Sequence, residues 1–252
     1  MPISFRRCIA LRADRHDDGH DVAHLRVRAA LEDDFHHFRV ELEIRDGRIT
    51  SIQAEAPRHP YSLCPAAAQA LQALQGSAPS RQAHAVHRVV DPSQQCTHLL
   101  DLAGLAGAAA ARGLAHRRYD IEVPMRVAGR TRTTLARDGV PMLAWEVQDL
   151  GITGPAPYAG VSLRHGMAQW ALDHLDEDEA EAALVLRRCT VISLGKGKPL
   201  DLQVHAMPTA ACFAQQPERA PMALRQVGST WDFSDRAAAL CADDEVWLRF
   251  AV

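Results

Sequence analysis

The chain has 252 residues, 47% of them hydrophobic and 23% charged, with a formal net charge of -3. This length allows one large globular domain or two of about a hundred residues each, and the charge gives no electrostatic reason to expect nucleic acid or an acidic membrane as a partner. No apolar run reaches the roughly twenty residues of a membrane span, and the N-terminus lacks the pattern of a secretory signal. We therefore expect a soluble cytoplasmic protein. Its six cysteines are then expected to be thiols, ligands or nucleophiles rather than disulfides; they are Cys8, Cys64, Cys96, Cys189, Cys212 and Cys241.

The first half of the chain is predicted to contain strands followed by two helices. Two alternating stretches, FRRCIALRA and DVAHLRVRAAL, indicate strands joined by a turn at Asp17-Asp18-Gly19. The stretch FRVELEIRDGRITSIQAEA predicts a hairpin that turns at Asp46-Gly47, because glycine accepts a positive φ without strain. Helices are predicted over residues 65–74 and 96–111, whereas the pattern of residues 77–90 is ambiguous.

A similar plan recurs in the second half. YDIEVPMRV, TRTTLARDG and PMLAWEVQD read as three strands, with a turn at Arg137-Asp138-Gly139. GITGPAPYAG is predicted to be a loop, VSLRHGMAQWALDHL and residues 178–192 to be helices, and the tail from Asp201 to mix short strands and loops. The prediction is an α+β protein in which antiparallel hairpins or sheets pack with helices. Two related modules, residues 1–114 and 115–252, would each have strands followed by two helices, through either duplication or chance.

The main chemical prediction concerns two cysteines at predicted helix starts. Unpaired backbone N–H groups and the positive end of the helix dipole favour a thiolate at such a position, and a thiolate can attack a carbonyl or bind a metal. Cys64 and Cys96 occupy these positions, and His98 follows Cys96 by two residues. Strand alternation sends His36 and His37 to opposite faces, so one of them could join the cluster. The alternative is that the cysteines are ordinary buried thiols, since C-x-H is not a standard zinc pattern.

Two motifs resemble those of an uncharacterised bacterial family. PYSLCP, which begins at Pro60, is similar to the family's Pro-Tyr-x-x-Cys-Pro, and CTHL, which begins at Cys96, to its Gly-Cys-Thr-His-Leu. The resemblance covers about the first 110 residues, and it departs where Gln95 replaces glycine and where His36-His37-Phe38 replaces His-Asp-Met. It implies shared positions rather than a reaction, with His36 preferred as the equivalent histidine. It also implies a setting in the catabolism of aromatic compounds.

The C-terminal segment CFAQQPERAPMALRQVGSTWDF has little periodicity, which suits a loop that faces a substrate. Arg219 and Arg225 could hold a carboxylate there by paired hydrogen bonds, and with Tyr61 they are the predicted substrate-binding residues. A surface loop held by salt bridges is the alternative. Motifs of serine hydrolases, zincins and nicotinamide enzymes do not occur in the chain.

Two functions follow from the predicted cluster of Cys64, Cys96, His98 and His36. The first is an enzyme that uses these four residues, as a thiolate or as ligands of zinc or another divalent metal, to activate the carbonyl of a small molecule. A thioester or β-keto acid would suit it, which makes it a hydrolase or a lyase. The second is a non-catalytic binding or accessory protein in which the cluster holds a structural metal or carries sulfur. A plain interaction domain with core cysteines is the third possibility.

Overall fold

Alternating apolar residues produce eight strands in the part of the chain that the structure describes, and these strands form one antiparallel sheet. The structure is a computed structural model that describes residues 3–16 and 24–250, so the turn predicted at Asp17-Asp18-Gly19 lies outside the described residues. The strands are β1 (Ser4–His16), β2 (His24–Asp33), β3 (His37–Arg45), β4 (Arg48–Arg58), β5 (His116–Pro124), β6 (Arg130–Arg137), β7 (Val140–Gln148) and β8 (Gly151–Gly154).

The order of the strands explains how the two halves of the chain meet. The sheet reads β4-β3-β2-β1-β5-β6-β7-β8, so each half is a four-stranded meander, and the first strand of each half lies at the centre. There β1 pairs with β5 in antiparallel register, with Ile9 opposite Tyr119. This confirms the α+β class. The sheet runs without a break from one half to the other, and the division at residue 114 stays a prediction.

The described residues form the helices α1 (Cys64–Ala70), α2 (Thr97–Arg112), α3 (Met167–His174), α4 (Glu177–Ile192) and α5 (Glu245–Leu248). Helices α1, α2 and α4 lie close to their predicted positions, and α5 was not predicted. Helix α2 starts after Cys96, which has an extended backbone, and ends at Gly113, whose φ of 69° suits glycine. The side chain of Asp176 caps α4 by accepting a hydrogen bond from the N–H of Glu179 at 2.8 Å. In the described residues, no helix has the length and apolar character needed to cross a membrane.

Three local predictions in the second half were wrong. GITGPAPYAG is not entirely a loop, because its first four residues form β8 at the sheet edge, where Ile152 pairs with Val147 and is 1% exposed. Helix α3 starts at Met167, several residues late, because the preceding Gly166 has a φ of 77°. In the described part of the tail, 3-10 turns, α5 and isolated bridges stand in place of regular strands.

Strand alternation gives the sheet two different faces. Helices α1, α2 and α4 cover one face, and the main apolar core lies between them and the strands. On the opposite face, the tail covers the first strands with a smaller apolar cluster that includes Cys8, Phe233 and Leu240. There the carboxylate of Asp244 accepts a hydrogen bond from Nε2 of His37 at 2.9 Å. The tail is therefore part of the folded unit.

Candidate functional site

Two of the predicted histidines lie side by side under the start of α2. His98 is in the first turn of the helix, and His36 is in the connection between β2 and β3. Their ring centroids are 4.2 Å apart, and each residue is less than a tenth exposed. His37 points to the opposite face of the sheet, towards Asp244. Strand alternation thus places His36, rather than His37, beside His98.

A buried carboxylate that the sequence analysis did not single out holds His36. The side chain of Asp33 accepts hydrogen bonds from the backbone N–H groups of Phe35 and His36, both at 2.7 Å, and contacts Nδ1 of His36 at 3.1 Å. Asp33 also accepts a hydrogen bond from Nε of Arg7 at 2.8 Å, and this ion pair is almost completely buried. The stretch EDDFHH at the end of a predicted strand could have indicated this contact, because Asp33 and His36 are only three residues apart.

The charges around Asp33 determine its protonation. Burial alone would raise the pKa of Asp33, but the charge of Arg7 and the hydrogen bond from His36 outweigh it and hold the pKa well below its usual value. The carboxylate is therefore ionised at neutral pH. An ionised carboxylate at Nδ1 favours the tautomer with a proton on that nitrogen, which leaves Nε2 of His36 to accept a proton.

His98 has a buried nitrogen without a partner among the described residues. Its Nε2 atom forms no hydrogen bond with any residue in ranges 3–16 and 24–250. Burial lowers the pKa of His98 well below its usual value, and the charge of Arg7 lowers it further. The ring is therefore neutral at pH 7. Because buried polar atoms are normally hydrogen-bonded, this nitrogen can bond to a water molecule or to a polar group of a bound molecule.

Cys64 and Cys96 come together, and a third cysteine that was not predicted to join them lies beside them. Cys64 and Cys212 pack in the same small apolar cluster. The backbone N–H of Phe213 donates to the carbonyl of Gln95 at 3.0 Å, which places Cys212 next to Cys96. Cys212 follows these residues by more than a hundred positions, and its sequence context gave no sign of this contact.

Burial reverses the expected effect of the helix starts on the thiols. It raises the pKa of Cys96 to about 12, although the backbone N–H groups of His98 and Leu99 lower it in part. It likewise raises the pKa of Cys64, and the nearby Cys96 raises it further. The expectation of a low-pKa thiolate at these two positions was therefore wrong, because desolvation of the sulfur outweighs the helix dipole.

The residues predicted to bind substrate fasten the tail to the rest of the protein. Arg225 donates to Asp201 at 2.9 Å and to Thr230 at 2.6 Å, and its backbone pairs with that of Tyr61. Arg219 donates to two backbone carbonyls and lies 4.0 Å from the ring centroid of Phe213. Tyr61 is 9% exposed. Protein atoms occupy these arginine donors, and the substrate-binding role of all three residues stays a prediction.

A cleft lies between α2 and α4, and Arg7, which holds Asp33, joins it to the histidine group. Its free volume is about 60 Å³, and its lining includes Arg7, Asp101 and His84 but neither His36 nor His98. His98 and Asp101 lie about one turn apart on the same side of α2, so the cleft lies about one turn along the helix from His98. The Asp101 carboxylate accepts hydrogen bonds from Nε of Arg188 and from a ring nitrogen of His87, both at 2.7 Å. The apolar walls are Ile9, Leu31, Leu102, Leu105, Leu184 and Val185.

The geometry gives the predicted metal set no support. Within residues 3–16 and 24–250, no group of three or more His, Cys, Asp or Glu side chains is arranged to hold a metal ion. Cys64 and Cys96 lie with Cys212 in one group, whereas His36 and His98 lie with Asp33 in another. The predicted site is thus divided into a thiol group and a histidine group, with the start of α2 between them.

Residues 7–112 match the model of a family described as a protein of unknown function (DUF2889). This match confirms the resemblance of about the first 110 residues to an uncharacterised family. The matched range includes Arg7, Asp33, His36 and His98, but not Arg188 or Cys212. A search of curated proteins found no match.

Proposed function

Because the matched family has no assigned activity, we propose a function from the site itself: a small-molecule enzyme in which His36 moves a proton at a carbonyl compound. The observation that carries this proposal is the buried group of Asp33, His36 and His98, in which Nε2 of His98 has no partner among the described residues. A buried histidine pair is costly for folding unless its polar atoms are satisfied. A substrate would satisfy them.

Each residue of the group has a chemical role in this proposal. Arg7 keeps Asp33 ionised, and Asp33 orients the ring of His36 and supports its positive charge after it takes a proton. His98 is neutral and can donate a hydrogen bond to the carbonyl oxygen as negative charge develops there. The proton would therefore move between the carbon next to the carbonyl and Nε2 of His36.

The proposed substrates are a thioester or a β-keto acid. With a thioester, His36 would take a proton from the water molecule that attacks the carbonyl, and the departing thiolate would receive that proton. With a β-keto acid, the carboxylate would leave as CO2, and the enolate, stabilised by His98, would receive a proton from protonated His36 at the carbon next to the carbonyl. Cleavage would make the protein a hydrolase or a lyase, and a place in the catabolism of aromatic compounds is part of this proposal. The buried thiols Cys64 and Cys96 are not given the role of nucleophile, because their pKa values are raised.

Proton movement can be measured without knowledge of the natural substrate. Acetoacetate and short acyl thioesters would be incubated with the protein in D2O, and NMR would follow both the loss of the α-proton signal and the appearance of cleavage products. We expect catalysed exchange or cleavage that falls by about 100-fold or more in His36→Gln, as for the loss of a general base. His37→Gln is the matched control, because its ring lies on the opposite face. Equal rates for the wild type and His36→Gln would overturn the proposal.

The thiol group favours a second candidate, an accessory protein that carries sulfur or a structural metal. Cys64, Cys96 and Cys212 converge at the start of α2, and Arg219 and Arg225 fasten the tail over them. Elemental analysis of the purified protein and mass spectrometry for a persulfide would test it. Stoichiometric metal or persulfide that is lost in Cys96→Ala would support this candidate, and a bare thiol in the untreated protein would refute it.

A further inference from the structure

The charges that line the cleft between α2 and α4 do not balance. Arg7 pairs with Asp33, and Arg188 pairs with Asp101. Glu181, a further lining residue, is held by Arg112 at 2.7 Å and by the hydroxyl group of Tyr119 at 2.5 Å. After these pairs are formed, one cation of the lining has no acidic partner among the described residues.

That cation is Arg187. Its Nε atom donates to the carbonyl of Leu163 at 2.8 Å, and its Nη2 atom donates to the carbonyl of Arg164 at 3.2 Å. No carboxylate of the described residues lies within 4.0 Å of its guanidinium group, and Nη1 has no acceptor among them. Two carbonyls fix the orientation of the group, and the carboxylate that acts on its charge from farther away, Asp101, is already held by Arg188 and His87. A fixed guanidinium at a cleft, with no carboxylate of the described residues in contact, suits the binding of a carboxylate or another oxyanion.

The walls of the cleft specify the rest of the ligand. They are aliphatic, and the free volume of about 60 Å³ holds only a small group. A bare inorganic ion would leave these walls exposed. A short aliphatic chain would bury them, and each buried methylene would make the binding free energy more favourable. The ligand should therefore carry a negative group at one end and a compact apolar body.

We infer that the cleft binds a short-chain organic carboxylate, with its carboxylate on Arg187 and its apolar chain against the aliphatic walls of α2 and α4. The assignment rests on the proposed function, because Arg7, which lines this cleft, also holds Asp33 of the proposed site. It replaces Arg219 and Arg225, whose donors are bound to protein atoms, as the anchor of the carboxylate. The carbonyl end of the substrate would then lie towards His98 and His36.

Calorimetric titration of the full chain with acetate, propionate, butyrate and valerate tests this inference. We expect the affinity to rise by about 4-fold for each buried methylene until the walls are covered. Butyramide, which has the same shape without the charge, should bind at least 10-fold more weakly than butyrate, since a hydrogen bond to a charged group is lost. Equal binding of butyrate and butyramide, or no binding of any carboxylate, would overturn the inference.

Variants of two arginines separate the charge of the cleft from the charge of the surface. Arg187→Gln should weaken butyrate by about 10- to 100-fold, whereas Arg187→Lys should recover part of the loss because it keeps the charge. Arg88→Gln removes an equal charge from an exposed residue outside the lining and should leave the affinity unchanged. An unchanged affinity in Arg187→Gln would overturn the inference, and a circular dichroism spectrum would establish that each variant is folded.

The proton-exchange assay distinguishes a failure of the carboxylate-binding inference from a failure of the proposed function. Exchange that is lost in His36→Gln, together with no carboxylate binding, would overturn the inference and leave the proposed function standing. Carboxylate binding that depends on Arg187, together with equal exchange in the wild type and His36→Gln, would overturn the proposed function and support a binding role of the cleft.

Discussion

Two glycines of α2 offer a matched test of how the helix packs against the segment above it. A Cβ atom on Gly104 would lie 2.3 Å from the carbonyl oxygen of Ala83 and 2.9 Å from Cγ1 of Val86. A Cβ atom on Gly107 would meet nothing closer than the Cβ of Pro79, at 3.7 Å, which is an ordinary contact. Substitution by alanine should therefore disturb the first position and spare the second.

The magnitude follows from two opposing effects. Both substitutions remove a glycine from a helix interior, which favours the folded state by up to about 1 kcal/mol. Gly104→Ala also overpacks the contact with backbone atoms, at a cost of about 1–3 kcal/mol. The difference in the free energy of unfolding between the two variants isolates the packing cost. For a chain of this size, it corresponds to on the order of 2 to 12 °C in Tm.

Thermal unfolding followed by circular dichroism, together with urea unfolding, would measure this difference. We expect Gly107→Ala to be as stable as the wild type or more stable, and Gly104→Ala to be the less stable of the two. Because the 3-10 segment at residues 83–88 contributes His84 to the lining of the cleft, butyrate binding should also weaken in Gly104→Ala. Equal stability of the two variants would refute the described contact between α2 and this segment.

Three further predictions concern the buried charges and thiols. Arg7→Leu leaves Asp33 charged and buried, so urea unfolding should show that the free energy of unfolding falls by about 3–5 kcal/mol. The control Arg6→Leu breaks a more exposed ion pair and should lower the free energy of unfolding by under about 1 kcal/mol. Similar losses in the two variants would contradict the burial of the Arg7–Asp33 pair. The pKa of His98 is lower in the folded state than in the unfolded state. Unfolding therefore takes up a proton below about pH 6.5, and the free energy of unfolding should fall as the pH drops from 7.5 to 5. Urea unfolding of His98→Gln across that range should give a smaller fall, and an equal fall would contradict the shift. Cys212 is the half-buried cysteine of the described chain, so a thiol reagent at pH 8 should modify it first, and a fast phase that persists in Cys212→Ala would contradict this order.

The sequence predicted those elements whose signals are local. Asp46 and Gly47 both have positive φ values and close the predicted hairpin, because residues adjacent in sequence determine a turn of this kind. The start and end of α2 could likewise be predicted to within a residue from Cys96 and Gly113. The order of the strands in the sheet could not be predicted, because Ile9 pairs with Tyr119, which is more than a hundred residues away in the sequence. Alternation shows which side chains share a face of a strand, but it does not show which strand lies next to it.

The sequence predicted the histidines of the candidate site but not its buried ion pair. His36 and His98 do meet, and the motif at Cys96 together with strand alternation pointed to them. Arg7 and Asp33 carry no motif, because an ion pair between neighbouring strands depends on register and burial. The direction of the thiol pKa shift was missed for a related reason: a helix start is visible in a sequence, whereas the depth of burial that opposes its dipole is a property of the whole fold.

The central position of β1 has a consequence for the part of the chain that matches the family model. Residues 7–112 end before β5 begins, so that segment alone would leave β1 with unpaired backbone groups along one side. It would also lack the tail that covers Cys8 and Ala10. An unprotected strand of this length can recruit strands from other molecules and lead to aggregation. A protein truncated at the boundary of the sequence match should therefore not fold well, because the first half depends on the second half to pair with β1.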